Sequence, residues 1–320
     1  MTLKKIFITR NIPEPAEKML KDVGYEVTIN LEDRVLTKAE LIESIKDVDG
    51  VLCLLTDPID REVLAAAKKA KVFANYAVGY NNIDIKAASE LGIIVTNTPG
   101  VLTDATADLA WALLFSVARR VVEADKFTRE GKFDGWAPNM FLGGDITGKT
   151  LGIVGAGRIG MATALKSQGF DMKVLYTGNS VNKTLEEKIS AQKVDLETLL
   201  KESDFVSLHV PLNEKTKHLI GKDELNKMRK TAYLINTARG LVVDEVALIE
   251  ALKAKKIAGA GFDVYEDEPQ LKPGLVDLDN VVILPHIASA THWTRGKMAQ
   301  MAAQNLIDVL EGRSPENKIN

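Results

Sequence analysis

Cysteine is almost missing from the 320-residue sequence. The single thiol, Cys53, excludes an intrachain disulfide, so any core must hold without a covalent staple. It lies in the apolar run Val51-Leu52-Cys53-Leu54-Leu55, a setting for a buried structural thiol rather than a nucleophile. No 18-residue stretch lacks charge, which excludes a transmembrane helix. Near the amino terminus, Lys4 and Lys5 precede only Ile6-Phe7-Ile8-Thr9, a short strand rather than the apolar core of a signal peptide. Basic excess is missing too. Lys and Arg number 41 against 44 Asp and Glu, a formal net charge of −3, so a general electrostatic grip on nucleic acid or on an anionic membrane is not expected. Low-complexity tracts and short-period repeats are lacking, and charged residues at 27% with hydrophobic ones at 46% are ordinary globular values. The expectation is a soluble cytoplasmic protein.

What is present is alternation. The length suits about two domains of roughly 100–200 residues each. Strands are expected at Lys5–Thr9, Glu26–Ile29, Gly50–Leu54, Val72–Asn75 and Ile93–Thr96, with helical patterns at Pro15–Val23, Lys38–Val48, Arg61–Ala70 and Ile85–Leu91. Such β–α alternation reads as a parallel sheet covered on both faces. Thr98-Pro99-Gly100 breaks it. A helix apolar nearly all round follows at Asp104–Arg119, which implies burial between domains or subunits. Gly131–Gly148 reads as a long loop. From Thr150–Val154 the alternation restarts, with strands at Lys173–Tyr176, Phe205–Leu208, Ala232–Ile235, Ala260–Val264 and Val281–Leu284. A last helix runs over Thr294–Glu311 and stops at Gly312. The fold class expected is α/β, two doubly wound parallel-sheet units with the active site in the cleft between them. The assigned domains are residues 1–99 plus 290–320 and residues 100–289.

The strand Thr150–Val154 runs straight into Gly155-Ala156-Gly157-Arg158-Ile159-Gly160, and a helix and a second strand follow. In that context the glycines have separate duties. Gly155 permits the tight turn, Gly157 lets backbone approach a pyrophosphate, and Gly160 lets helix and strand pack closely. The helix-start N–H groups then face the anion. A bare glycine turn without ligand is the plainer alternative. The acidic residue expected at the end of the second strand is missing, and Gly178 stands in its place, followed by Asn179 and Ser180. Asn179, Ser180 and Asn182 can donate hydrogen bonds and Lys183 can supply positive charge, which suits a 2′-phosphate better than a bare diol. NADP is therefore expected to be preferred, with NAD still usable.

Three polar residues sit just past strand ends in the second half: Arg239, Glu268 and His286. That edge of an open α/β sheet is where ligands bind. A guanidinium grips a carboxylate in a planar fork and polarises a neighbouring carbonyl. An imidazole can give a proton to a new alkoxide, and a carboxylate on its other nitrogen orients the ring and favours its charged form. Each has a plain alternative. Arg239 can be a surface arginine, and Glu268 lies in the acidic run Glu266-Asp267-Glu268, a pattern usually solvated. His209 also follows a strand, so position separates it only slightly from His286, whereas His218 and His292 look like surface or helix-start residues.

Taken with Asn75-Tyr76-Ala77-Val78-Gly79-Tyr80-Asn81-Asn82-Ile83-Asp84, Asn236–Gly240, Asp263–Pro269 and Pro285–Thr291, these motifs run in order along nearly the whole chain. In them the chain resembles the D-isomer-specific 2-hydroxyacid dehydrogenases. The runs Thr96–Asp108 and Met140–Asp145 look most like the glyoxylate/hydroxypyruvate reductase branch. The resemblance implies reduction of a small 2-oxo acid, with Arg239 as anchor, His286 as acid/base and Glu268 as its partner. It implies substrate contacts from Val78 and Gly79 backbone and cofactor contacts from Thr106, the Gly155–Gly160 turn, His209-Val210-Pro211, Thr237, Ala238, Asp263 and Ala288. It also implies a homodimer formed with the long apolar helix, and no metal. Relatives that reduce sugar-derived keto acids remain an alternative. So do dinucleotide-sensing transcriptional corepressors, which keep an Arg/Glu/His set.

Overall fold

Among the described residues, 3–320, the strands of the computed structural model form two sheets of five and seven strands, parallel throughout. The chain divides into two compact units. One takes the chain through Leu102 together with Ser289–Asn320, and the other is Thr103–Ala288.

In the first unit, β1 (Lys5–Ile8), β2 (Glu26–Ile29), β3 (Gly50–Cys53), β4 (Val72–Asn75) and β5 (Ile94–Thr96) lie in the order β2-β1-β3-β4-β5. The inner strands β3 and β4 are buried on both sides because both faces are covered, whereas edge strand β2 exposes Glu26 and Thr28. Ile6, Ile8, Leu52, Val72 and Ala74 fill one core layer, while Phe7, Val51, Cys53 and Phe73 fill the other. Burial pushes the Cys53 thiol well above its ordinary range, so it stays an inert packing group. The helices are α1 (Ala16–Asp22), α2 (Lys38–Ile45), α3 (Arg61–Ala66) and α4 (Ile85–Glu90). Side chains start three of them: Thr37 in a capping box with Glu40, Asp60 on Val63 N–H, and Asp84 on Ala87 N–H.

The second unit opens with α5 (Thr103–Ala118) and α6 (Val121–Arg129). It continues through β6 (Thr150–Val154), α7 (Arg158–Leu165), β7 (Lys173–Thr177), α8 (Lys183–Ile189), β8 (Gln192–Lys193), α9 (Leu196–Glu202), β9 (Phe205–Leu208) and α10 (Lys222–Lys227). Then come β10 (Tyr233–Asn236), α11 (Glu245–Lys253), β11 (Gly259–Phe262) and β12 (Val281–Ile283). The strand order is β12-β11-β10-β9-β6-β7-β8. The winding direction reverses between β6 and β9, which opens a crevice outside their carboxyl ends.

Some expected bounds shift. β10 starts one residue later than expected and β11 ends at Phe262, although Asp263 N–H still donates to Asn236 O at 3.0 Å while its carboxylate holds another loop. Helix α6 was not anticipated. It follows Arg120, whose left-handed φ of 54° ends α5 without a glycine. One side of α5 is buried inside its own unit, while Leu109 and Phe115 stay half-buried and Ala112 exposed. Trp111 Nε1 donates to Thr163 O at 2.9 Å, and Leu113, Leu114 and Val117 join the same core layer as Leu151, Ile153 and Ile235.

The last helix, α12 (His292–Leu310), belongs to the first unit. Thr291 caps it by accepting from Thr294 N–H at 3.0 Å. Met298, Ala299, Ala302, Ala303, Leu306, Val309 and Leu310 recur every three or four residues and complete the layer containing Ile6 and Leu52. Burying each large side chain there stabilises the unit by about 1.5–3 kcal/mol.

Candidate active site

The glycine turn is shaped by close approach. Gly155 has φ +98°, and a Cβ on it would lie 2.9 Å from the His209 carbonyl oxygen. A Cβ on Gly160 would lie 2.1 Å from Gly155 O, whereas one on Gly157 would meet nothing within 4 Å. Backbone therefore fills the back of the turn, and open space lies in front of it. Helix α7 begins here with Gly157 at its cap and no side chain bonded to its first N–H groups, those of Arg158, Ile159 and Gly160. An uncapped helix start facing a hollow suits an anion such as a pyrophosphate. Buried Thr237 Oγ1, just past β10, likewise has no partner among the described residues.

Beyond β7, Gly178, Asn179 and Ser180 are exposed. A Cβ on Gly178 would find only Ala156 N, at 3.7 Å. Asn182 has a bracing role as well. Its Oδ1 caps α8 by accepting from Leu185 N–H at 3.2 Å, and its Nδ2 donates to Ala156 O at 2.9 Å. It braces the glycine turn with one amide hydrogen, and the second stays available beside Asn179, Ser180 and Lys183.

His209 sits at the end of β9 with Nε2 2.8 Å from Ser207 Oγ. Although the ring keeps some exposed surface, its dense surroundings push the imidazole down to about 3, so it is neutral near pH 7. A neutral, desolvated ring is a poor acid, and His209 with Val210 backs the glycine turn instead.

Arg239, Glu268 and His286 all project from the carboxyl edge of the seven-stranded sheet. After β10, Asn236 folds the chain over. Its Nδ2 donates to Arg239 O at 2.9 Å and its Oδ1 accepts from Ala238 N–H at 3.0 Å. The Arg239 guanidinium bonds Ala238 O through Nη1 at 2.7 Å. Burial lowers its proton affinity, and the Glu268 charge works against that. After β11, the buried Asp263 carboxylate accepts from Ile287 N–H at 2.7 Å and Ala288 N–H at 2.8 Å. Burial pushes Asp263 up from the usual carboxylate range, while those two N–H groups and His286 pull it down. These bonds anchor the segment just past His286, whose φ of +55° is uncommon for a residue with a side chain. Such a conformation persists where surrounding bonds over-determine it, and it clusters at functional sites.

His286 Nδ1 lies 2.8 Å from Glu268 Oε2. Because an ionised carboxylate only accepts, Nδ1 carries the hydrogen of this bond and Nε2 is left for other chemistry. The other Glu268 oxygen accepts from Tyr265 N–H at 2.9 Å. Burial alone would raise Glu268, but the His286 bond and charge, the Tyr265 N–H and Arg239 outweigh it and hold the carboxyl below its ordinary range. Thr106 and Ala288 are buried in the same unit, at the first turn of α5 and just past His286.

Val78 and Gly79 belong to the first unit, in the loop after β4. Asn75 Nδ2 donates to Gly79 O at 2.9 Å and Asn97 Nδ2 to Val78 O at 2.8 Å. The two carbonyls are thereby held, and the Val78 and Gly79 N–H groups have no acceptor among the described residues. The bracing by Asn75 and Asn97 was missed in the sequence, although both residues lie in the quoted motifs. Among the described residues, no group of three His, Cys, Asp or Glu side chains could hold a metal ion.

The family model described as D-isomer specific 2-hydroxyacid dehydrogenase, NAD binding domain, matches residues 111–288. The chain belongs to this family. As a D-isomer-specific 2-hydroxyacid dehydrogenase it is 53% identical over 320 residues to the glyoxylate reductase of Thermococcus litoralis, covering 99% of this chain and 96% of that one. A solved glyoxylate reductase from Paecilomyes thermophila superposes with a TM-score of 0.89 at 32% identity, covering 100% and 99% of the two chains. An NADPH-dependent glyoxylate/hydroxypyruvate reductase from Sinorhizobium meliloti, solved with NADP and malonate, gives a TM-score of 0.88 at 29% identity and covers 99% and 97%.

Proposed function

We propose that this 2-hydroxyacid dehydrogenase reduces glyoxylate or a similarly small 2-oxo acid, such as hydroxypyruvate, to the 2-hydroxy acid, with NADPH preferred over NADH. The observation that carries the reading is the His286–Glu268 pair at 2.8 Å, set beside Arg239 on the sheet edge that also bears the glycine turn. The turn's open front and uncapped helix start fit a dinucleotide pyrophosphate. A reduced nicotinamide bound there supplies the hydride for the substrate carbonyl carbon.

The chain's own groups do the rest. The Arg239 fork binds the substrate carboxylate and draws electron density toward the carbonyl oxygen. In the first unit, Asn75 and Asn97 hold the Gly79 and Val78 carbonyls, which leaves the N–H groups of that loop able to receive an anion. His286 delivers the proton from Nε2 to the carbonyl oxygen as the carbon is reduced, then recovers one from water. Glu268 fixes the ring's orientation and keeps Nε2 aimed at the substrate oxygen. His209, pushed down to about 3, has no such proton to give.

NADPH preference is supported by Gly178, which puts no carboxylate where a 2′-phosphate would sit, and by exposed Asn179, Ser180 and Lys183. The relatives named as glyoxylate reductases support the substrate, and the Sinorhizobium enzyme supports the cofactor. A homodimer is supported by apolar surface on α6 and the loop after it, where Val121, Val122, Phe133 and Leu142 are exposed and Trp136 is 83% exposed. The deciding assay follows NADPH and NADH oxidation with glyoxylate, hydroxypyruvate, pyruvate and a bulky aromatic 2-oxo acid. Turnover with the small acids is expected. No turnover with any of them, or preference for the aromatic acid, overturns the reading.

A further inference from the structure

The acidic run Glu266-Asp267-Glu268 is not a uniformly solvated loop. The Glu266 side chain keeps only 8% of its surface, and Glu245, at the start of α11, is buried. The two residues bond each other's backbone. Glu266 N–H donates to Glu245 Oε1 at 2.7 Å, and Glu245 N–H donates to Glu266 Oε1 at 3.2 Å. Next to this double bond the two turns touch through backbone. A Cβ on Gly240 would lie 1.8 Å from the Tyr265 carbonyl carbon and 2.4 Å from Glu266 N. Gly240 follows Arg239, and Tyr265 N–H is the group that holds Glu268 Oε1. Tyr265 also donates its hydroxyl to Leu284 O at 2.8 Å, on the segment that leads into His286.

We propose that Glu245 and Glu266 are positioning residues for the reaction, a reciprocal carboxylate-to-amide clasp that holds the Tyr265–Glu268 turn against the Arg239–Gly240 turn and so keeps Glu268 against His286. The inference rests on the roles given above to His286 and Glu268. Three observations favour it over a role in folding alone. Helix α11 is already capped by Asp244, which accepts from Ala247 N–H at 3.0 Å, so Glu245 is not needed to start it. Glu245 Oε2 is buried with no partner among the described residues, a cost that an apolar residue of similar volume would avoid. The charges around the clasp are also arranged to keep Glu266 in place. His218 Nε2 lies 2.9 Å from its Oε1, and Lys272 Nζ lies 3.2 Å from its Oε2 and 2.6 Å from Asp267. Around Glu268 itself stand His286, Arg239, Asp263 and Tyr265. Burial pushes the Glu245 carboxyl up from the ordinary range, so a neutral amide of the same shape suits the position.

The test is a double-mutant cycle on the full chain, read as kcat for glyoxylate, with thermal unfolding and cofactor binding measured alongside. Glu245→Ala is expected to lower kcat about tenfold with cofactor affinity unchanged, and Glu245→Gln to stay within about twofold of native. On a Glu268→Gln background, Glu245→Ala is expected to cost less than about twofold more, because its effect passes through Glu268. A full-size loss on that background overturns the inference, and so does native kcat in Glu245→Ala despite a lowered Tm. If Glu245→Ala does not fold, Glu245→Asp, which withdraws the accepting oxygen by one methylene, runs the same cycle with the same criteria. Native protein that fails to reduce glyoxylate sinks the functional reading and this inference with it, whereas native turnover with an unaltered variant sinks the inference alone.

Discussion

Gly178→Asp should turn cofactor preference around, and the structure sets the size of the effect. The position is exposed, its φ is not left-handed, and a new Cβ would meet only Ala156 N at 3.7 Å. The substitution therefore adds charge without strain, and Tm should not move. A carboxylate about 5 Å from a doubly charged phosphate in water-like surroundings repels it by roughly 1.7 kcal/mol, which salt reduces to about 1 kcal/mol. The same carboxylate accepts hydrogen bonds from the ribose diol of NADH, a charged-acceptor contribution of about 1.5 kcal/mol at an exposed site. Together these amount to about 2.5 kcal/mol, or roughly a 60-fold fall in the NADPH-to-NADH ratio of kcat/KM. The assay measures that ratio for native and variant protein at low and at high KCl. The repulsive part should shrink with salt, while the hydrogen-bonding part persists. A ratio that moves less than about threefold would mean that Gly178 does not face the adenosine ribose. A native ratio well below one would refute NADPH preference itself.

Other outcomes follow from the same geometry. His286→Ala should lose about 10²–10⁴-fold in kcat while binding cofactor normally, and His209→Ala should not share that loss; equal losses in steady-state assays would reverse the assignment. Arg239→Lys should lower kcat/KM for glyoxylate by about 10–100-fold, because an ammonium cannot reproduce the planar fork, and native-like kinetics would remove Arg239 from substrate binding. Gly240→Ala should destabilise the chain by about 4 kcal/mol or more in urea unfolding, since its methyl would overlap Tyr265 backbone; a cost under about 1 kcal/mol would refute that packing. Trp136→Ser should weaken self-association in sedimentation velocity, and an unchanged dimer would move the interface elsewhere.

The central strands were legible because each is short, apolar and buried on both faces, as at Val51 to Cys53 and Phe205 to Leu208, whereas the two-residue edge strand β8, Gln192–Lys193, is polar and exposed and was not expected. Their carboxyl ends were less so. Buried Val264 follows β11, but the strand ends at Phe262 and the Asp263 carboxylate holds Ile287 and Ala288, which hydropathy does not register. Helix α6 escaped notice because it buries no side chain and α5 stops at an arginine in a left-handed conformation rather than at a glycine. In the site, Arg239, Glu268 and His286 were visible as polar residues directly after apolar strands. What composition hid was partnership. Glu266 looks like its acidic neighbours yet is buried against Glu245, 21 positions earlier, and Asn182 looks like a surface side chain yet ties one amide hydrogen to Ala156. Both depend on contacts between turns of different strands, which local pattern does not encode.

The placement of α12 has a consequence for the order in which the chain is made. The face of the first sheet that carries Ile6, Leu52 and Ala74 is sealed by residues 298–310, yet β5 ends at Thr96. Roughly 200 residues separate the finished sheet from its cover, about 10–40 s of synthesis at ordinary ribosome speeds. Through that interval the second unit, contiguous from Thr103 to Ala288, emerges with all of its own strands and can close its core first. The amino-terminal sheet therefore waits on the ribosome with one apolar layer covered only in part, by Ala16 and Leu20 of α1, and a stop codon a few turns early would release a chain whose second unit is whole and whose first is left open to aggregation.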